Sequence, residues 1–165
     1  MMTSRSIRSS ARLAVLTAGL LASAAAFAQV TVQDAWVRGT VPGQTSSGAF
    51  MTLQSAEGAK VVGVSTPVAG TAEIHEMKME GDVMRMRAMP SLELPKGQTV
   101  QLKPGGYHVM LMNLKQPLVK DTTVPITLKV ELADKRVVEQ KVDARVRDLT
   151  AGNMSGMNHG GGHKH

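Results

Sequence analysis

The sequence predicts an all-β domain, an antiparallel sandwich or barrel, and three observations carry that prediction. Short runs rich in β-branched residues, or alternating apolar with polar ones, recur along the chain. Turn-forming tetrads and triads separate them at fairly even spacing. No stretch of ten to fifteen residues after the first thirty shows a 3.6-residue apolar period. VTVQDAWVR (30–38) opens the series and VPGQ closes it off; SSGAFMTLQ (46–54) follows and ends at AEGA. KVVGVST (60–66) and TAEIHEMKME (71–80) come next, and EGD after the second is a tight-turn signal, so VMRMRAM (83–89) should run back beside it. LPKG, KPGG, KQP and ADK then punctuate TVQLK (99–103), YHVMLMNL (107–114), VPITLKVEL (124–132) and RVVEQKVDARV (136–146). No internal repeat is present.

The two ends read differently. Arg5, Arg8 and Arg12 precede the apolar run LAVLTAGLLASAAAFA, no acidic residue occurs before Asp34, and Ala26-Phe27-Ala28 has the small-x-small form of a cleavage site. Residues 1–28 are expected to be a secretory signal peptide cut after Ala28, with export and no stable membrane insertion afterwards. The chain has no cysteine, so neither a lipoprotein anchor nor a disulfide is expected. Residues 29–149 are then one folded domain. From Thr150 the composition shifts to AGNMSGMNHGGGHKH, and residues 150–165 are expected to be a flexible Met/His/Gly-rich tail.

Charge excludes one class of partner. The formal net charge is +6; without the three leader arginines it is mild, and no Lys/Arg block is present, so nucleic acid is not expected. No nucleophile–base motif and no supported carboxylate pair points to an enzyme.

Methionine and histidine carry the chemistry. After residue 28 the aromatics are only Trp36, Phe50 and Tyr107, whereas methionine recurs at Met51, Met77, Met79, Met84, Met86, Met89, Met110, Met112, Met154 and Met157. Alternation places His108, Met110 and Met112 on one strand face, and His75, Met77 and Met79 on one face of another. With Met84 and Met86 on the returning strand, three strands bring imidazole and thioether to one region. Thioethers are soft neutral donors that suit Cu(I) better than zinc, magnesium or calcium, and a blue-copper site would need a thiolate this chain lacks. Packing is the competing account of such methionines, and for Met51, Met89 and Met112 it is the preferred one.

The spacing His75, ten residues, Met86, twenty-one residues, His108, one residue, Met110 resembles the signature of the periplasmic copper chaperones of the PCuAC family. VMRMR (83–87), LPKG (94–97) and LKPGGYHVMLMNL (102–114) agree with it, and the resemblance extends from DAWVR to the last strand pair. It implies a cupredoxin-like, Greek-key antiparallel β-sandwich. It also implies a Cu(I) site of His75, Met86, His108 and Met110, with Met77 as a substitute or outer donor and Met84 and Met112 as shielding. Delivery to respiratory cytochrome oxidase, at the dinuclear copper centre of subunit II, is implied as well, beside a Sco-type thiol assembly protein. The tail residues Met154, Met157, His159, His163 and His165 form a candidate secondary site, with Cu(II) suited to its histidines. The expectation is a monomeric chaperone that transfers copper by ligand exchange. A copper-sequestering or resistance protein without a specific acceptor, and a metal-free adhesion module, are the alternatives.

Overall fold

The computed structural model describes residues 30–148. The segments expected to be a signal peptide and a tail, with Met154, Met157, His159, His163 and His165, lie outside them. Among the described residues ten strands form one continuous sheet: β1 (Val30–Arg38), β2 (Ser46–Ser55), β3 (Ala59–Ser65), β4 (Ala69–Glu80), β5 (Val83–Met89), β6 (Leu92–Leu94), β7 (Thr99–Leu102), β8 (Tyr107–Leu114), β9 (Thr123–Leu132) and β10 (Val137–Arg147). Their order is β5-β4-β8-β7-β2-β1-β10-β9-β3-β6, with β8 also pairing β2 directly. Pairing is antiparallel except between β1 and β10, and at the single register point Leu102–Tyr107 between β7 and β8.

Nine of these strands coincide with the segments read from the sequence. The tenth, β6, was not among them. It holds only Leu-Glu-Leu between Pro90 and Pro95, too short for a periodic signal, yet Leu92 and Leu94 are both buried and Leu92 pairs with Val61 of β3.

One core fills the inside of the fold. Alternation supplies Ile74, Val109, Leu111, Ala49, Met51 and Leu53 from one end of the sheet. Ile126, Leu128, Val130, Val142, Ala144 and Val146 come from the other, and Leu92 and Leu94 close it. The sheet bends back on itself, so that Val62 and Val64 of β3 share a cleft with Ala72 and Ile74 of β4 and Met89 of β5. Met51 lies in this core and Met89 packs against it, the packing role expected of both.

A bulge sets up the opposite face. β1 pairs with β2 at Gln33–Thr52 and then at Trp36–Phe50, so one extra residue has entered β1, and Asp34 there has φ +50°. An inserted residue reverses which face the rest of the strand presents. Val30 therefore faces the core before the bulge and Val37 after it, while Trp36 turns outward beside Phe50, ring centroids 4.5 Å apart.

Candidate metal centre

The outward face of β2, β8, β4 and β5 carries the predicted residues. β4 and β8 pair antiparallel with His75 opposite His108, and Glu73 opposite Met110. β4 and β5 pair with Met77 opposite Met86. The turn between them is two residues long, and Gly81 takes φ +63°, the left-handed conformation that a mirror-image hairpin turn demands of its first central residue. On the other flank β2 pairs with β8, bringing Gly48 opposite Met110. The face is thus assembled by register alone from residues as far apart in the sequence as Gly48 and Met110.

An open cleft of about 360 Å³ occupies this face, and Met77, Met86, His108 and Met110 line it together with Arg38 and Phe50. His75 does not line the cleft. It stands one strand away, its ring centroid 5.8 Å from that of His108. Met112 and Met84, read as shielding neighbours, are also absent from the lining.

Hydrogen bonds orient both imidazoles. His108 Nδ1 lies 3.1 Å from the Gly106 carbonyl oxygen, and His75 Nε2 lies 2.9 Å from Glu73 Oε2. A carbonyl and a carboxylate can only accept here, so each of these nitrogens carries the proton and donates it. In the neutral form of each ring the opposite nitrogen is the one with the lone pair: Nε2 of His108 and Nδ1 of His75. His75 Nδ1 is buried with no hydrogen-bond partner. An orphaned buried polar atom costs roughly 1–3 kcal/mol, so its persistence asks for a ligand. His108 is only 6% exposed, and burial holds its pKa below the ordinary 6.5. The Gly106 bond opposes that shift, while His75 and Arg38 add to it. The ring is therefore neutral near neutral pH.

Phe50 forms the floor. Its ring lies 6.4 Å from that of His108, with the Arg38 guanidinium 5.5 Å above it. A Cβ at Gly48 would stand 2.9 Å from Phe50 Cζ, so the absence of a side chain there is what lets the ring lie across the strand. Among the described residues no three of His, Cys, Asp and Glu gather to hold an ion. A metal on this face must draw on the thioethers, whose exposure rises outward: Met110 is half-buried and Met86 is 49% exposed.

Glu73, Gly48 and Phe50 were not among the sequence-derived site residues. Glu73 carried a signal, since Glu-x-His on a strand puts both side chains on one face. Gly48 and Phe50 depend on a β2–β8 register that no local pattern displays.

An all-β domain with two oriented imidazoles and a thioether-lined cleft on its outer face is the class that these features define. The family model described as "Putative lipoprotein LpqE-like" matches residues 30–142, and the chain belongs to that family, the family of the PCuAC domains. A curated relative, "Putative lipoprotein Lxx21020" of Leifsonia xyli subsp. xyli, is 33% identical over 101 residues. That match spans 61% of this chain and 61% of the relative's own length. The solution structure of apo-DR1885 from Deinococcus radiodurans is 33% identical, covers 89% of this chain and 95% of that one, and superposes with TM-score 0.54. The CuI-DR1885 structure is 34% identical over 81% of this chain and 85% of that one, with TM-score 0.57. The copper-bound PCuAC domain from PmoF2, 20% identical over 73% of this chain and 93% of that one with TM-score 0.59, shares the fold. The expected family and the cupredoxin-like β fold are both borne out.

Proposed function

We propose that this protein is a periplasmic copper chaperone that holds Cu(I) with His75, Met86, His108 and Met110 and gives it up by ligand exchange. The observation that carries the reading is the pairing of His75 with His108: each ring has one nitrogen fixed as a donor, leaving the other nitrogen free. Two neutral imidazoles and two thioethers make a soft, uncharged ligand set that favours Cu(I). Hydrogen bonds to a ligating imidazole's far nitrogen set its tautomer and raise its basicity, and Glu73 and Gly106 are placed to do so. Met77, in the cleft lining, is the reserve donor. The CuI form of DR1885, 34% identical, supports copper as the cargo.

The acceptor is the dinuclear copper centre of cytochrome oxidase subunit II, reached directly or through a Sco-type thiol protein. Thiolates bind Cu(I) more firmly than thioethers do, so transfer runs downhill. The lipoprotein names of the family and of its Leifsonia relative support export.

Anaerobic Cu(I) titration against a competing chelator tests the site. Wild type, His108→Ala with Met110→Ala, and a chain ending at Thr150 are compared, with circular dichroism to check folding. Tight 1:1 binding that survives truncation and vanishes in the double variant is expected. Equal binding by wild type and the folded double variant overturns the proposal. Incubating loaded protein with apo subunit II then reads transfer, and a metal that stays put would favour sequestration.

A further inference from the structure

The β4–β5 hairpin continues past the cleft, and its outer end presents a second set of thioethers. Register pairs Met77 with Met86 and, one step nearer the turn, Met79 with Met84. All four share a face of the hairpin with His75, since residues two apart along a strand and directly opposed residues share a face. The opposite face is polar and self-paired, with Arg87–Glu76 at 2.9 Å and Arg85–Glu80 at 3.0 Å. β5 ends the sheet, and every residue of it but Met89 is exposed. Met79 is accordingly 53% exposed, Met84 45% and Met86 49%.

Packing does not account for these residues. No part of the buried core includes Met79, Met84 or Met86. An exposed edge strand ordinarily carries charged, polar or β-branched side chains, which favour the strand and guard against edge pairing. The Arg and Glu residues do that on one face of the hairpin; the methionines do not on the other.

We propose that Met79 and Met84, completed by Met77 or Met86, form a second, solvent-facing Cu(I) site from which the ion steps into the cleft. The inference rests on the reading of the cleft as a Cu(I) site. Directly opposed residues of an antiparallel pair have Cβ atoms about 4.5–5.5 Å apart, a separation two flexible methionine side chains can close around one ion. A set of neutral thioethers without imidazole or carboxylate selects Cu(I) and rejects zinc, calcium and Cu(II). Met77 and Met86 line the cleft as well, so the two sites share a wall. Transfer inward needs only the exchange of one thioether at a time, with no change of oxidation state. The outer site, lacking imidazoles, fills after the inner one.

The test is a Cu(I) titration of the chain from Gln29 to His165, labelled with ¹³C at the methionine methyls and followed anaerobically by NMR. Each methyl reports on its own residue, so tail and hairpin are read separately. The expected course is movement of Met86 and Met110 over the first equivalent, then of Met79 and Met84 together as more Cu(I) is added. The variant carrying Met79→Leu and Met84→Leu keeps volume at exposed positions. It should bind one ion fewer and retain the first-equivalent shifts. Stationary Met79 and Met84 signals while Met86 and Met110 move overturn the hairpin site and leave the chaperone reading standing. Stationary Met86 and Met110 signals overturn the reading of the cleft itself.

Discussion

Removing the Glu73 carboxylate should weaken Cu(I) binding without unfolding the protein. Glu73 accepts the Nε2 proton of His75 at 2.9 Å, and this bond decides which nitrogen of the ring remains free. Deleting a group that orients a metal-binding histidine costs about 10- to 100-fold in affinity. The Glu73 side chain is 43% exposed, so water screens its charge and the lower end applies. Glu73→Ala should therefore weaken Cu(I) affinity about tenfold, equivalent to ~1.4 kcal/mol. Glu73→Gln keeps an acceptor oxygen but loses the charge, and charge-assisted bonds are about twice as strong as neutral ones. Half of that free energy then remains, and the loss should be about threefold. Competition with a Cu(I) chelator reads both values, and thermal melts of the apo forms check that the fold is unchanged. A double-mutant cycle sharpens the test: in a His75→Leu background, Glu73→Ala should cost nothing further. Glu73→Ala binding within twofold of wild type, or an undiminished effect in the His75→Leu background, would refute the argument.

Three further outcomes follow from the same geometry. His75→Leu removes the orphaned Nδ1 and exposes only a carboxylate already in water, so the apo protein should be unchanged or up to about 1 kcal/mol more stable in urea unfolding while Cu(I) affinity collapses. Gly48→Ala drives a Cβ to 2.9 Å from Phe50 Cζ, where Trp36 and Arg38 restrict the ring's retreat; overpacking of this kind costs roughly 1–3 kcal/mol, read as a lower urea midpoint. The lowered pKa of His108 means that the folded state binds fewer protons than the unfolded one below pH 6.5. The stability it contributes is thus fully present above 6.5 and declines as pH falls through the lowered value, and His108→Gln should flatten that part of the profile in unfolding titrations.

The parts of this molecule that were legible in the sequence are those written at short range. Alternation over 107–114 assigned His108 and Met110 to one face because the period of a strand is two, and the turn at Glu80-Gly81-Asp82 aligned β5 with β4 because a two-residue hairpin fixes register. Once that turn was placed, Met77 had to meet Met86. What stayed hidden depended on longer connections. The meeting of His75 with His108 needs the β4–β8 register, which nothing between residues 80 and 107 specifies locally. The floor under the site needs Gly48 opposite Met110 and an extra residue in β1 that turns Trp36 outward. β6 escaped because three residues between prolines give no period to detect, although their two leucines close the core.

As a copper site of the proposed kind, the arrangement would reconcile two demands that oppose each other in a carrier. Firm retention asks for ligands whose positions are already held before the ion arrives, and fast release asks for ligands that leave singly. Both imidazoles sit on β4 and β8, strands flanked on each side by another strand, with their rings oriented by hydrogen bonds. Met86 sits on β5, the terminal strand, with half its surface in water. Strand edges open more readily than sheet interiors, because fewer buried contacts oppose the motion. With copper bound as proposed, an incoming donor would meet a displaceable thioether first, while the histidines would hold the ion until a stronger ligand had begun to bind. A cleft built on interior strands alone would retain copper and exchange it slowly; one built on the hairpin alone would exchange it freely and retain little. On the proposed reading, placing the site across the boundary between them would give direction to the exchange: from thioethers outside, to imidazoles within, to the thiolates of an acceptor.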